Sequence, residues 1–461
     1  MKALRHWVVR HAGLVETVYQ AGLALVPIAR ALGLGALEKA IRPIEAAGKG
    51  LLFDCQMCGQ CQLSVTGMAC PMNCPKKLRN GPCGGVREDG MCEIDAAMPC
   101  VWAEGWQGQA QMKDADGYRH LHQPLDFRRF GRSTWVPIIK GESDRFPLSQ
   151  PGPPRPRAAE SFETKLKAGR FVVTAELSPP DSADPEDLLA KARIYDGLVD
   201  AMNVTDGSGA HCHLSSQAAA ALLVRSGRTA IAQIVCRDRN RIAAQADILG
   251  LAALGVKNLL CLTGDGVETG DHPEARPVFD LDAVSLLTAA RTMRDNGTYL
   301  SGRKLTTPPN LFLGATANPF APPMGARVVN LAKKIAAGAQ FIQTQFCFDP
   351  DRLDEFLRQA GDQGLLERTA LIVGVGPLVS VKMARFMQAK VPGVWIPDAL
   401  MARMEKAPDA KKEGVAIAVE MVARLKETKG VAGVHLMSHR HEDLLAEIVS
   451  RSGLRASDAG E

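Results

Sequence analysis

The sequence predicts an α/β fold in which a (β/α)8 barrel follows a small cysteine-rich, metal-binding module and a set of N-terminal helices. Two observations support this prediction. Eight short apolar runs recur after residue 161, most of them about 30 residues apart, which is the size of one βα unit. Eight of the twelve cysteines lie between Cys55 and Cys100. We therefore expect four regions: helices (1–50), the cysteine module (51–105), an extended linker (106–160) and the barrel (161–461).

The first 50 residues are rich in alanine and leucine and predict amphipathic helices, broken near Pro27 and Gly35. These helices would pack on the cysteine module or on a partner. The most apolar stretch, 18–34, is interrupted by polar residues and proline, so we expect no transmembrane segment. A surface membrane anchor is the alternative, with a polar side formed by Lys2, Arg5, Arg10 and Arg30.

The cysteine module predicts metal ligands rather than disulfides, because nothing near the N-terminus resembles a cleavable signal peptide. Successive x2 spacing is typical of a [4Fe–4S] loop, as in the ferredoxin-type run. Zinc remains the alternative, although it usually takes two separated C-x2-C pairs. Eight ligands would fill two four-cysteine sites. They are Cys55, Cys58, Cys61, Cys70, Cys74, Cys83, Cys92 and Cys100.

Charge and composition exclude some partners. The net charge is +5, with both signs well mixed, and aromatic residues make up only 5% of the chain. No basic tract favours nucleic acid. A proline-rich spacer at 147–158 marks the boundary before the barrel. We expect a cytoplasmic protein.

The predicted strands are continuous apolar runs that alternate with helical segments, which is typical of a parallel sheet covered by helices. A doubly wound sheet would need a glycine fingerprint after the first strand, and the glycine-containing run at 263–270 instead opens a long polar loop after the fourth. The runs are 171–177, 199–205, 229–235, 257–263, 311–316, 340–346, 369–375 and 431–437.

Polar residues follow several of these strands, where barrel enzymes place their active sites. Glu176 is the strongest candidate, because Pro179 and Pro180 block an immediate helix and leave its carboxyl in the mouth. The residues His211, Cys212 and His213 could suggest a metal site, but neighbours on a loop are poor joint ligands, and we favour a structural or substrate-loop role. Other strand-end residues are Thr205, Asp206, Arg237, Asp238, Asp265, Asn318, Gln345, Ser438, His439 and Arg440.

Residues 161–461 resemble the methylenetetrahydrofolate reductases. The matching motifs are A-E-L-S-P-P (175–180), N-V-T-D-G (203–207), L-T-G-D (262–265), N-L-A-K-K-I-A-A-G-A (330–339), Q-F-C-F-D (345–349) and W-I-P (395–397). The cysteine region is similar to the small accessory subunit of this reductase in acetogenic bacteria, and C-P-K-K-L-R-N-G-P-C-G-G (74–85) carries that likeness.

The resemblance implies flavin-dependent reduction of 5,10-methylenetetrahydrofolate to 5-methyltetrahydrofolate, or the reverse, with FAD or alternatively FMN as cofactor. Electrons would enter through the iron–sulfur module from a redox partner protein, and the chain would form an oligomer. Glu176 matches the general acid that protonates N10 of the folate. Asp265 matches the carboxylate beside the flavin, and Gln345 the amide that holds the folate. Flavin contacts fall on Thr205, Asn330, Lys333 and Lys334, and a further folate contact on Arg440.

Three residues depart from the family pattern, namely Gln233, Asn318 and Cys347. In relatives these positions contact the flavin tail and the nicotinamide. The choice between FAD and FMN, and the question whether NADH is the direct electron donor, therefore stay open. Without the resemblance, an exposed helix face is the alternative interpretation of Asn330, Lys333 and Lys334. Two other functions remain: a folate-binding barrel that transfers methyl groups to a corrinoid, and a zinc-stabilised module that docks a redox protein.

Overall fold

The computed structural model describes residues 2–114, 116–141, 161–438 and 441–454. The proline-rich spacer at 147–158 and residue Arg440 lie outside these ranges. The helices that precede the barrel are α1 (Lys2–Arg10), α2 (Ala12–Leu23), α3 (Val26–Ala31), α4 (Glu38–Phe53), α5 (Val101–Gln109) and α6 (Trp135–Lys140). Helices thus occupy most of the first 50 residues.

The N-terminal helices divide into a packed and an exposed part. Val8 of α1 and Phe53 of α4 are buried in one apolar cluster with Cys58, so α1 and α4 dock on the cysteine module as expected. Helices α2 and α3 instead leave large apolar side chains exposed. The stretch Ala12–Ala31 is long and apolar enough to cross a membrane by length and composition. Its most apolar window of 18 residues has a mean hydropathy of 1.4, and 11% of that window is buried.

The cysteine module, between α4 and α5, consists mostly of turns and loops. It lies directly on the barrel. Lys76 Nζ donates to the carbonyl of Gly264 at 2.7 Å, and Asn318 Nδ2 donates to the carbonyl of Gly84 at 2.8 Å. Arg327, which is buried, donates to the carbonyl of Cys83 at 2.7 Å. Three separate barrel segments therefore hold the module in place.

The barrel is closed, and its eight parallel strands are hydrogen-bonded in chain order. Every strand falls within two residues of its predicted bounds, so the predicted fold class is confirmed. The strands are β1 (Val172–Leu177), β2 (Ala201–Val204), β3 (Ala230–Val235), β4 (Asn258–Leu262), β5 (Phe312–Ala317), β6 (Phe341–Phe346), β7 (Ala370–Val375) and β8 (Val431–Leu436).

Helices surround this sheet and bury its outer face. Several begin at a side chain that accepts a hydrogen bond from the first turn, as Asp184, Asn240 and Asp282 do. The barrel helices are α7 (Ser161–Lys167), α8 (Pro185–Arg193), α9 (Ser216–Arg225), α10 (Arg241–Ala253), α11 (Ala283–Arg291), α12 (Met324–Ala337), α13 (Pro350–Gly361), α14 (Val381–Lys390), α15 (Asp398–Lys406), α16 (Ala410–Glu427) and α17 (Glu442–Arg451).

Candidate functional site

Glu176 lies on β1, one residue before the strand ends, and its side chain is half-buried at the carboxyl end of the barrel. Burial raises its pKa to about 7, and the negative charges of Asp265 and Glu442 contribute in the same direction. A carboxyl group with this pKa is protonated in a large fraction of molecules near neutral pH. It is therefore suited to donate a proton, as a general acid must.

Asp265 follows β4 and is exposed at the same end of the barrel. Its Oδ2 accepts a hydrogen bond from the backbone N–H of Gly209, at 3.0 Å, in the loop after β2. Its charge acts on Glu176 and also on Lys76 of the cysteine module. The fold thus brings together two carboxylates that are 89 positions apart in the sequence, with Asp265 also next to the module.

Gln345 is half-buried near the end of β6, and its side-chain oxygen accepts from the backbone N–H of Phe346 at 3.0 Å. This bond leaves the amide NH2 group to bind a ligand. The sequence-predicted acid, carboxylate and amide therefore all lie at the carboxyl ends of their strands.

A layer of buried polar side chains lies deeper in the barrel, one inward-facing position before the strand-end residues. The strand-end pattern did not indicate this layer. Asn203 Nδ2 donates to Gln343 Oε1 at 2.7 Å, and Gln343 Nε2 donates to Thr174 Oγ1 at 3.2 Å. Thr174 Oγ1 in turn lies 3.0 Å from Nδ1 of His435. Thr174 and Gln343 precede Glu176 and Gln345 by two residues, so alternation along the strand could have located them.

Thr205 directly follows β2, and its buried hydroxyl has no hydrogen-bond partner among the described residues. The Ser438 hydroxyl after β8 is in the same state. A buried hydroxyl without a partner is costly, and most are satisfied by protein, water or ligand. Thr205 is also a position that the resemblance assigns to the flavin. These unpaired hydroxyls fit a polar ligand in the mouth of the barrel.

Helix α12 carries Asn330, Lys333 and Lys334, and all three are buried. Their interpretation as an exposed helix face is therefore wrong, because the cysteine module and β5 cover this part of the helix. The Lys333 ammonium lies over the rings of Trp102 and Tyr118, 5.6 and 5.4 Å from their centroids.

Burial lowers the pKa of Lys333 to about 7, because the charged form loses its hydration. Burial also lowers the pKa of Lys334 to about 8, and the nearby charge of Arg327 adds to this effect. Lys334 Nζ donates to the carbonyl of Thr316, at 2.6 Å. An anionic group bound beside these lysines would restore their charge, which fits a phosphate-bearing cofactor.

The three residues that depart from the family pattern have distinct surroundings. Gln233 is buried within β3, and Cys347 is buried after β6, where burial raises the pKa of its thiol to about 12. Asn318 contacts the cysteine module rather than facing an open mouth, since its amide donates to Gly84. At this position, which the resemblance places near the flavin, the side chain therefore contacts the cysteine module instead.

The His211–His213 loop is bound by aspartates. His211 Nδ1 pairs with Asp271 at 2.6 Å, the backbone N–H of Cys212 donates to the same carboxylate, and His213 pairs with Asp181. The two imidazoles thus have different partners. This arrangement supports the structural role that we favoured over a metal site.

The eight cysteines of the module divide between two separate cavities. The first cavity, with about 360 Å³ of space between atoms, is lined by Cys55, Cys58, Cys61 and Cys70. The second, with about 340 Å³, is lined by Cys74, Cys83, Cys92 and Cys100. All eight are free thiols, so no disulfide competes for them.

Each cavity also contains a buried lysine paired with a glutamate. Lys49 lines the first cavity and donates to Glu45 Oε1 at 2.6 Å. Lys76 lines the second and pairs with Glu93. Burial raises the pKa of the Cys74 thiol to about 12, since a thiolate would be poorly solvated there. The lysines place positive charge where four thiolates would need it.

The thiols do not surround a single ion. Among the residues that the structure describes, no three His, Cys, Asp or Glu side chains are arranged to hold one metal ion. Tetrahedral zinc requires four sulfurs at about 2.3 Å from the same ion.

Comparison with known proteins gives two family matches. Residues 161–453 match the model described as methylenetetrahydrofolate reductase, and residues 34–128 match the model described as methylene-tetrahydrofolate reductase C terminal. In this chain the second region precedes the barrel. It contains all eight cysteines of the module and extends beyond the predicted limits of 51–105.

Three relatives carry reductase names. The chain is 26% identical over 246 residues to a probable methylenetetrahydrofolate reductase (NADPH) of Caenorhabditis elegans, a match that covers 52% of this chain and 34% of the relative. It is 24% identical over 297 residues to 5,10-methylenetetrahydrofolate reductase of Pectobacterium carotovorum, covering 62% of this chain and 92% of the relative. Methylenetetrahydrofolate reductase 2 of Schizosaccharomyces pombe is 27% identical over 216 residues, 43% of this chain and 32% of the relative. The chain thus spans about a third of the length of the two eukaryotic relatives.

One solved structure covers a similar region. It is an uncharacterized protein from Clostridium thermocellum that binds two copies of 5-methyl-5,6,7,8-tetrahydrofolic acid. The match has a TM-score of 0.47 and 14% identity, and it covers 64% of this chain and 98% of that chain.

Proposed function

Because this chain belongs to the methylenetetrahydrofolate reductase family, we propose that it interconverts 5,10-methylenetetrahydrofolate and 5-methyltetrahydrofolate with the help of a bound flavin, FAD or FMN. The reduction consumes two electrons and two protons per folate. The observation that supports it best is Glu176, whose pKa of about 7 at the end of β1 suits a proton donor. The family match supports the substrate class, and the raised pKa of Glu176 supports its role as the acid.

Glu176 has the chemical role of protonating N10 of the folate, which opens the five-membered ring toward a 5-iminium cation. Asp265 provides a negative charge at the same mouth, and a cation that forms there is stabilised by it. Asp265 also disfavours ionisation of Glu176 and so helps to keep the acid protonated. Gln345 holds the folate through the amide NH2 group that its backbone contact leaves available.

The flavin, when bound, supplies hydride transfer, while the protein binds and orients it. The hydroxyl of Thr205 and the buried lysines Lys333 and Lys334 are the groups suited to hold it. Lys333 also contacts Trp102 and Tyr118, next to the cysteine module. The predicted flavin site and the module therefore share the helix α12.

Electrons enter, in this proposal, through metal centres in the cysteine module, from a one-electron carrier protein that docks there. The module's position supports this route, because Lys76 lines the second cavity and also contacts the loop that carries Asp265. A module that served only to dock a partner would have no need to lie against the active-site loop. An oligomeric, cytoplasmic protein is part of the same proposal.

An anaerobic purification tests the proposed function. The protein should be yellow, with flavin absorbance bands that bleach on reduction, and the reduced protein should convert methylenetetrahydrofolate to methyltetrahydrofolate. A preparation that is colourless and cannot be reconstituted with FAD or FMN would refute the reductase. Methyl transfer to a corrinoid without any flavin would support the folate-binding methyltransferase instead.

A further inference from the structure

We propose that one face of helices α2 and α3 binds the surface of an anionic lipid membrane and lies in the plane of that surface. Such binding requires neither flavin nor folate, so it is independent of the proposed reductase. We call this face the apolar stripe, and its large side chains are Leu14, Val18, Leu25, Ile28 and Leu32.

The apolar stripe follows helical spacing. Each of its five side chains is more than half exposed, and they follow one another at steps of four, seven, three and four positions. This spacing places them on one face of a helix. The break between α2 and α3 hardly interrupts that face, because Ala24 has helical backbone angles (φ −62°, ψ −19°) and Leu25 stays close to them (φ −83°, ψ −8°).

Polar contacts on the opposite side of the same helices hold the stripe outward. Glu16 of α2 is buried and accepts a hydrogen bond from the backbone N–H of Lys113, at 2.8 Å. Arg30 of α3 donates to the carbonyl of Ile138, at 3.1 Å, and also to that of Ile139. A surface helix of a soluble protein usually packs its apolar side on the core and leaves its polar side in water. Here that orientation is reversed.

The exposed apolar surface extends beyond the stripe. Most of the large apolar side chains that are exposed among the described residues lie between Trp7 and Leu52. Those outside the stripe are Trp7 of α1, together with Leu37, Ile44, Leu51 and Leu52 on or next to α4. An accumulation of this kind marks a contact with a protein or a membrane.

The charge on these helices favours an anionic membrane. Among the described side chains of α1–α4, the exposed charges are basic, whereas the acidic groups are buried or half-buried: Arg10, Arg30, Lys39 and Arg42 against Glu16, Glu38 and Glu45. Each basic residue near an anionic lipid surface raises the affinity by about fivefold. The surface therefore combines apolar side chains with positive charge, which is what a bilayer of anionic lipids binds.

A second copy of the chain would match the stripe less well. Helices that pair through an apolar seam usually carry charges of both signs beside it, which form ion pairs between the helices. The positions beside the stripe are all uncharged in this chain: Val15, Gly22 and Ala29 on one side, and Thr17, Ala24 and Ala31 on the other. A lipid surface needs no such pairs.

The stretch Ala12–Ala31 lies along the membrane in this proposal rather than across it. The contact of Glu16 near one end and that of Arg30 near the other keep both ends against the same folded body. A spanning helix would have its ends on opposite sides of about 30 Å of hydrocarbon. The polar contacts of α2 and α3 therefore favour a helix that lies in the interface.

Flotation of the full-length, anaerobically purified protein with lipid vesicles tests the proposal. We expect binding to vesicles of equal parts phosphatidylcholine and phosphatidylglycerol, and binding at least about tenfold weaker to phosphatidylcholine alone. Leu25→Gln/Ile28→Gln should weaken binding to the mixed vesicles by at least about tenfold, because it removes apolar surface from the contact. Ile242→Gln/Leu254→Gln is the matched control, since both side chains are exposed, on or directly after α10, and it should change nothing.

A second variant separates charge from apolar contact. Arg10→Gln/Lys39→Gln/Arg42→Gln should weaken binding to the mixed vesicles by at least about tenfold and leave binding to phosphatidylcholine unchanged. An equal loss on both kinds of vesicle would contradict the role of charge. All of these side chains are exposed, and an unchanged thermal midpoint checks that each variant is folded.

Three outcomes would overturn the proposal. The first is no binding to either kind of vesicle. The second is loss of a dimer in Leu25→Gln/Ile28→Gln, measured by analytical ultracentrifugation, without a change in vesicle binding, because the stripe would then be an interface between copies. The third is bound protein that resists alkaline carbonate, which would indicate a spanning helix. Each would leave the proposed reductase intact, since vesicle binding uses neither flavin nor folate.

Discussion

Replacing Glu176 by glutamine tests the assigned acid directly. The substitution keeps the size of the side chain and its capacity to hydrogen-bond, but removes the proton donor. We expect flavin binding to persist while folate reduction falls by at least about a hundredfold, within the usual range for general acid catalysis. In the wild-type protein the rate should fall as the pH rises through about 7, because the carboxyl then ionises.

The same substitution should change stability in a pH-dependent way. The pKa of Glu176 is about 7 in the folded protein, against an ordinary value of 4.5. The folded state therefore holds this proton more tightly than the unfolded chain, so wild-type stability declines between these two values as the pH rises. The difference corresponds to at most about 3 kcal/mol at pH 8. Glutamine does not ionise, so the variant should be more stable than wild type at pH 8 and similar to it at pH 5.

Thermal unfolding at pH 5 and pH 8 measures this difference, which should raise the midpoint at pH 8 by on the order of 5 °C. Glu427→Gln, an exposed glutamate at the end of α16, is the matched control and should change neither midpoint. Near-normal folate turnover in Glu176→Gln would mean that the proton comes from elsewhere. An equal stability change at both pH values would show that the pKa of Glu176 is not raised.

Two further predictions concern the cofactor and the electron route. Thr205→Val removes a buried hydroxyl that has no partner, so we expect the flavin-free protein to gain about 1 kcal/mol of unfolding free energy while flavin binding weakens about tenfold. Thr288→Val is the comparison variant and should destabilise the protein, because that hydroxyl donates to the carbonyl of Val284. If Thr205→Val weakened flavin binding without a gain in stability, that result would argue against an unpaired hydroxyl at Thr205. Cys58→Ser/Cys61→Ser should abolish reduction by a carrier protein and preserve reduction by a low-potential dye, measured as flavin bleaching. Unchanged carrier-driven reduction would exclude the module as the entry point.

Much of the barrel could be predicted from the sequence, because a strand that is buried on both faces must be a continuous apolar run. The run at 369–375 follows this rule and corresponds to β7 at Ala370–Val375, whereas the run that corresponds to β6 at Phe341–Phe346 also contains polar residues. The sequence could also indicate Glu176, since a carboxylate near the end of such a run and before two prolines has no helix to cap. Local pattern therefore located both the fold and the carboxylate that we propose as the acid.

The same reasoning failed for helix α12, where charged residues at Lys333 and Lys334 imitate an exposed face. Their burial depends on a module that precedes them by more than 200 residues, and no local pattern records such a contact.

The sequence by itself predicted that the eight cysteines are metal ligands, because their number and spacing can be read directly from the chain. Only the tertiary structure decided how they divide, since the path of the loop sends Cys70 and Cys74, four positions apart, into different cavities. It also decided that the second cavity lies against the barrel, through Lys76 and Gly264. The physical reason is that spacing constrains which residues can meet through a short loop, whereas long-range packing decides which of them do.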